Sequence, residues 1–189
     1  GPCQTVYTPP GVFADESISS DSSRGVFESE GSCGGRGSPE LVVLFRVEEP
    51  IDAIYIDTYL EGTQVPTTIY VRKQLCLSAD AEVACEREFA NAPNPGQKVT
   101  VRNPELGDYF IFVDGVAGAG GPVNLLVSVK PVGQCRNGKD DDEDGLTDYP
   151  SDPGCISGYD RDEDDNGAVP VCANQTDDDG DGLVDFPDD

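Results

Sequence analysis

The sequence predicts an all-β protein: an antiparallel, jelly-roll-like β-sandwich followed by an irregular C-terminal segment. Three observations carry that expectation. Between residues 41 and 130, β-branched and aromatic runs alternate with a period near two. No apolar stripe of helical period and useful length occurs anywhere. Beyond Pro131 the apolar runs stop, and Asp, Gly, Pro and Cys take over.

Residues 3–38 are rich in Ser, Gly and Asp, with short apolar pieces at Val12-Phe13 and Val26-Phe27 that would make edge strands between turns. The strong strands follow as LVVLFRV (41–47), IDAIYIDTYL (51–60) and TTIYVRKQL (67–75), bounded by Pro50, Gly62 and Pro66. KVTVRN (98–103), DYFIFVDG (108–115) and NLLVSV (124–129) continue at strand-sized spacing. Six or more short strands without helices bury their inward faces most simply as two packed sheets. The expected organisation is a sandwich domain over 3–131 and a second segment over 132–189.

The formal charge of −25 disfavours nucleic acid and anionic membrane as partners, since phosphate contacts need Lys and Arg and only 12 are present. Residues 133–189 hold 19 of the 37 acidic residues and 3 of the 12 basic ones. Cations are the partners such a segment favours. No apolar run approaches the length of a membrane span, so no membrane insertion is expected. The seven Cys sit in polar, Gly-rich surroundings, with no His in the chain and no paired CxxC spacing. Disulfides in an oxidising compartment, and hence a secreted or cell-surface location, are therefore expected rather than zinc. The absence of a signal peptide suggests a mature piece of a longer precursor.

The segment after Pro131 cannot offset its ordering entropy by apolar burial. An internal repeat shows what else would order it. A shift of 37 residues lays CRNGKDDDEDGLTDYPSD, from Cys135, on CANQTDDDGDGLVDFPDD, from Cys172, with eleven of eighteen positions identical. The first copy extends over 135–163. The second, 172–189, stops where its own Pro-Gly-Cys is expected, as if truncated within a longer array.

Each copy contains D-x-D-x-D-G-x-x-D: Asp140, Asp142, Asp144, Gly145 and Asp148, then Asp177, Asp179, Asp181, Gly182 and Asp185. This spacing suits calcium. Carboxylates at loop positions 1, 3 and 5 converge on one point, and Gly at 6 permits the sharp turn. Position 7 offers a backbone carbonyl, from Leu146 or Leu183, and position 9 supplies Asp148 or Asp185, directly or through water. Ser151 and Asp188 occupy position 12, where a Glu is usual, so Asp152 and Asp189 are the candidate replacements. Asn137 and Asn174 add a carbonyl ligand or a turn. Asp160 and Glu163 are placed to complete a coordination shell from outside the loop. Leu146 with Tyr149, and Leu183 with Phe186, would pack a miniature core around each ion, and a Cys135–Cys155 bridge would close the first repeat. In the chain-entropy view a loop of that size is worth about 3 kcal/mol. Two in-register copies with a shared Cys frame argue against a merely solvated acidic tail, and magnesium, which keeps its waters, suits the site less well.

These repeats resemble those of secreted proteins of myxobacteria and related bacteria, C-x-N/D-G-x-D-x-D-x-D-G-x-x-D-[YF]-P-x-D-P-G-C, and more distantly thrombospondin type 3 repeats. The preceding SPELVVLFRV, TTIYVRKQLC, Cys85 and GDYFIFVDG, closed by NLLVSV, are similar to the bacterial pre-peptidase C-terminal domain over roughly residues 30–130. That resemblance implies a compact β-sandwich, an accessory to secreted hydrolases, with collagen or polysaccharide bound by some members. It also implies a Cys76–Cys85 pair. Cys3 and Cys33 are then left to each other by elimination, and Cys172 remains as a free thiol or an intermolecular bridge.

Without His, the common catalytic triads and most catalytic metal sites are missing, so an enzyme is not expected. The leading expectation is a non-enzymatic, calcium-binding extracellular module in which a stiffened stalk spaces or links neighbouring protein domains. Two alternatives stay open. One is an accessory module holding an extracellular polymer, collagen or polysaccharide, through exposed Tyr55, Tyr59, Tyr70 or Tyr109. The other is a self-assembling filament subunit.

Overall fold

The computed structural model describes Cys3, residues 16–25, 29–87 and 95–164, Gly180 and residues 182–184. The chain divides into two compact units, Gly1–Pro131 and Val132–Asp189. Among the described residues the first has eight strands: β1 (Glu16–Asp21), β2 (Glu40–Val47), β3 (Ile51–Asp57), β4 (Thr67–Lys73), β5 (Glu82–Arg87), β6 (Lys98–Arg102), β7 (Gly107–Gly115) and β8 (Pro122–Pro131). They form two four-stranded sheets of order β1-β8-β3-β6 and β2-β7-β4-β5. Every strand pairing is antiparallel. This interleaved order is that of a jelly roll, in which strands pass alternately between two sheets.

Period-two alternation produces the core. On β2, Val43, Phe45 and Val47 face inward with Tyr109, Ile111 and Val113 of β7 and Ile69 and Val71 of β4. They meet Ile54 and Ile56 of β3, Val99 and Val101 of β6, Val123, Leu125 and Val127 of β8, and Ile18 of β1. Burying each such side chain stabilises the sandwich by about 1.5–3 kcal/mol, before the entropy cost of ordering it.

The other face of β2-β7-β4-β5 is covered as well, which makes six consecutive residues of β4, Thr67–Arg72, all buried. Val42, Tyr70, Phe112 and Cys76 form a second apolar cluster there. The Tyr70 and Phe112 rings stack at 4.6 Å, and the Arg72 guanidinium lies over both, at 5.2 and 4.9 Å from their centroids. Its Nη1 and Nη2 donate to the carbonyls of Cys76 and Glu30, each at 2.8 Å.

Residues 29–38 act as a strap on this face. Ser29 N–H donates to the Glu40 carboxylate, and the Ser32 N–H donates to Glu82 Oε2 at 3.0 Å. A Cβ on Gly31 would lie 2.7 Å from both the Tyr70 ring and Cys85 Sγ, so only glycine lets the strap approach this closely. Beneath it, burial, and then the neighbouring Glu40 charge, push the Asp114 carboxyl up to about 9.

Three expectations are corrected. Two strands went unforeseen, β1 (ESISSD) and β5 (EVACER). Both are sheet edges with few apolar residues, and their pairing is imposed by β8 and β4 rather than by their own pattern. The expected edge strands at Val12-Phe13 and Val26-Phe27 lie outside the described residues. The N-terminal disulfides join Cys3 to Cys76 and Cys33 to Cys85, not Cys76 to Cys85 and Cys3 to Cys33. The β4–β5 register puts Cys85 opposite Tyr70, in the body of the strand pair, whereas Cys76 falls in the loop beyond the end of β4. Each Cys is therefore bridged by whatever covers its own level of the sheet. Finally, Tyr70 and Tyr109 are buried to 0% and 1% exposure, which removes them as ligand-facing tyrosines.

Because Cys33–Cys85 fastens the strap to a sheet edge, replacing both by Ser is expected to cost about 2–5 kcal/mol of unfolding free energy. Urea denaturation checks the loss.

Candidate metal centre

The first repeat has almost no regular secondary structure, so its backbone N–H groups need other acceptors. The Asp side chains supply them. Gly145 N–H donates to Asp140 Oδ2 at 3.0 Å, Asp144 N–H to Asp142 Oδ1 at 3.2 Å, and Leu146 N–H to Asp144 Oδ1 at 2.7 Å. Gly138 N–H donates to Asp148 Oδ2 at 2.8 Å, and Gly154 N–H to Asp152 Oδ1 at 2.7 Å. Each of these bonds fixes a carboxylate by one oxygen. Gly145 stands at φ +96, the left-handed region that the tight turn needs and glycine enters without strain. Gly182, at the same place in the second repeat, has φ +93.

The fixed carboxylates converge. Oxygens of Asp140, Asp142 and Asp144 lie within 4.8 Å of one another, as do ligand atoms of Asp152, Cys155 and Glu163. Cys155 Sγ is committed to the disulfide with Cys135, leaving the two acids of that group. Asp140 Oδ1, Asp148 Oδ1 and Asp152 Oδ2 are buried without a hydrogen-bond partner. Burial raises the Asp152 carboxyl above its ordinary range, with the charges of Asp144, Glu163 and Asp142 adding to the effect and the Gly154 N–H opposing it. Buried, mutually repelling oxygens without protein donors are what a hard cation would satisfy, so these acidic groups could hold a metal ion.

Glu163 is fully buried. Its Oε1 accepts from Asp148 N–H at 2.8 Å and its Oε2 from Asp141 N–H at 2.7 Å, so it clamps the loop at both ends of the motif. Gly154 permits this, since a Cβ there would lie 1.7 Å from the Glu163 carbonyl oxygen. The sequence singled out Glu163 as an acid reaching the loop from outside it, but not that it accepts the Asp141 and Asp148 N–H groups or that Gly154 makes room for it, because both depend on residues beyond the disulfide folding back.

The other sequence candidates fall elsewhere. Asn137 Oδ1 accepts the Lys139 N–H at 2.8 Å and Nδ2 donates to Asp141 Oδ2 at 2.5 Å, so Asn137 builds the turn. Asp160 Oδ1 accepts the Arg161 N–H at 2.8 Å and is outside the acidic groups found among the described residues. Tyr149 is 53% exposed. In the second repeat Leu183 is 45% exposed. Cys172, Asn174, Asp177, Asp179, Asp181, Asp185, Phe186 and Asp189 lie outside the described residues.

On the sandwich, Thr58 to Thr63 with Pro95 and Gly96 line a cleft of about 330 Å³. Tyr59, 47% exposed, stands in it, and Tyr55 on β3 is 40% exposed.

No protein-family model and no curated protein matches the chain. Among solved structures it is similar to the pre-peptidase C-terminal domain of collagenase from Bacillus anthracis, at 14% identity and TM-score 0.36, over 66% of this chain and 94% of that one. It is similar at 15% identity and TM-score 0.37 to PliG, a periplasmic inhibitor of g-type lysozyme from Aeromonas hydrophila, over 66% of this chain and 97% of that one. A third likeness is CsCBM6-3 of Clostridium stercorarium, solved with cellobiose, at 13% identity and TM-score 0.33, over 67% and 97% of the two chains. Likenesses this distant carry no functional inference.

Glu163→Gln puts an amide donor against one of two backbone N–H groups. The expected result is faster hydrogen exchange at the Asp141 and Asp148 amides, by about 5- to 150-fold for the roughly 1–3 kcal/mol lost when a buried donor is left unmatched.

Proposed function

We propose that the chain is a non-enzymatic, calcium-binding extracellular module, a β-sandwich with a stalk that calcium rigidifies, belonging to a secreted or surface protein. The observation that carries this reading is the trio of buried, unpartnered oxygens on Asp140, Asp148 and Asp152 beside the Asp142 and Asp144 carboxylates. Asp140, Asp142, Asp144, Asp148 and Asp152 would hold the ion, with the Leu146 carbonyl, while Glu163 holds the loop. Calcium would supply the positive charge that lets these acids share one small volume. The Cys135–Cys155 bridge shortens the unfolded loop that the ion must order. Asp177, Asp179, Asp181, Asp185 and Asp189, with the Leu183 carbonyl and Asn174, make the corresponding set in the second repeat. A location outside the cell fits three disulfides, which reducing compartments do not maintain.

Calorimetric titration of EDTA-stripped protein, with limited proteolysis, tests this reading. Calcium binding that protects residues 135–164, and that Asp142→Asn weakens tenfold or more, is the expected outcome. Absence of heat with an equally labile segment would overturn it.

A second reading, polymer binding by the sandwich, is favoured by Tyr59 in its cleft, an exposed ring of the kind that stacks on a sugar or packs on a peptide. Retention on insoluble polysaccharide or collagen that Tyr59→Ala abolishes would support it.

A further inference from the structure

The outer face of β1-β8-β3-β6 carries an exposed aromatic ring, Tyr55 on the central strand β3. Ile54, Ile56, Val99, Val101 and Val127 point into the core, so alternation turns their neighbours outward. Register then fixes what surrounds the ring. Tyr55 is directly opposite Thr100 on β6 and Ser128 on β8. At the next outward position of β3, Ala53 is opposite both Arg102 and Lys130, and on the other side Asp57 is opposite Lys98. Tyr55 therefore has a hydroxyl on each flank and three cations on its diagonals, where neighbours lie about 7–8 Å away.

Cations are scarce in this chain. Residues 1–132 hold nine Lys and Arg against 18 acids, and three of those nine surround this one ring. Lys98 Nζ lies 2.7 Å from Asp57 Oδ2, and Lys130 Nζ lies 2.9 Å from Asp52 Oδ2. In both pairs the cation is outermost: the Lys98 and Lys130 side chains are 66% and 46% exposed, those of Asp57 and Asp52 only 18% and 14%. Arg102 is exposed and makes no ion pair among the described residues. What this face shows to solvent is positive, on a domain that is acidic as a whole.

We propose that the face around Tyr55 is a binding site for a uronic-acid polysaccharide. The Tyr55 ring stacks on one sugar, the Thr100 and Ser128 hydroxyls meet its hydroxyls, and Arg102, Lys98 and Lys130 take the carboxylates of that sugar and its neighbours. Arg102 offers the planar fork that holds a carboxylate through two parallel N–H bonds. Lys130 and Arg102 are two strand spacings apart, about 9.5 Å, and Lys98 and Arg102 are four residues apart along β6, about 13 Å. A chain laid across the ring thus meets a cation on either side. Single-stranded nucleic acid suits the face less well, because it is held by aromatic rings stacking successive bases, and this face has one such ring among the described residues. The site is separate from the Tyr59 cleft. It shares with the polymer reading only that the sandwich is the unit that binds.

The test uses the full chain in EDTA, which removes any calcium bridge between uronates and the repeats. Binding is measured by affinity electrophoresis and calorimetry on polygalacturonate, on its methyl ester as the uncharged counterpart, and on poly-dT. The wild type is expected to bind polygalacturonate, more weakly as salt rises, and the methyl ester about tenfold or more less tightly. Arg102→Gln should weaken binding by roughly tenfold or more through its lost charge-assisted bonds, and Tyr55→Ala by about 2- to 13-fold. Tyr59→Ala should leave it unchanged. Urea denaturation checks that each variant keeps its fold, and Lys98→Gln stands in if Arg102→Gln does not. Equal binding of the methyl ester, indifference to the cation variants, or no binding of polygalacturonate would overturn the proposal. Tighter binding of poly-dT would overturn the sugar assignment. Loss in Tyr59→Ala but not in Tyr55→Ala would place the polymer in the cleft, refuting this site and keeping the polymer reading.

Discussion

An ordered chain must match its buried backbone N–H and C=O groups and offset the entropy of holding them in place. The two units meet this constraint by different means. In the sandwich, strand ladders match the backbone, and apolar alternation between two sheets supplies the burial. In the first repeat, where ladders are almost absent, carboxylate oxygens take the N–H groups of Gly138, Asp141, Asp144, Gly145, Leu146, Asp148 and Gly154. Using anions as the acceptors gathers negative charge in a small volume. The same hydrogen bonds that order the loop thus bring together the carboxylates of Asp140, Asp142 and Asp144 that could hold a metal ion.

The sandwich has its own unusual feature in a sheet covered on both faces. Its inner face meets the opposing sheet, while its outer face is closed by a glycine-dependent strap and two disulfides. That cover turns Tyr70, Phe112 and Arg72 into interior residues, and encloses Glu40, Thr68 and Asp114. A row of polar side chains at a strand end is ordinary on an open sheet. Under a strap it is buried.

Local pattern determined much of this protein. Strands β2, β3, β4, β6, β7 and β8 were legible because alternation and β-branched residues are properties of short runs. The acids of the first loop were legible because 1-3-5 spacing and Gly145 act within one turn, and the Cys135–Cys155 bridge because it closes a single repeat. Features resting on distant partners were not. Strands β1 and β5 have too few apolar residues to announce themselves, and they exist because β8 and β4 offer them an edge.

The sequence by itself therefore determined the fold class, the break in composition after Pro131 and the clustering of Asp140, Asp142 and Asp144 in the first loop, each set by neighbours a few positions apart. Tertiary structure alone decided that Cys3 meets Cys76 and Cys33 meets Cys85, that Tyr70 and Tyr109 are interior, that Glu163 clamps the loop, and that Glu40 faces Asp114. Sheet register and the path of the strap bring those residues together across tens of positions, and nothing in local spacing encodes such a meeting.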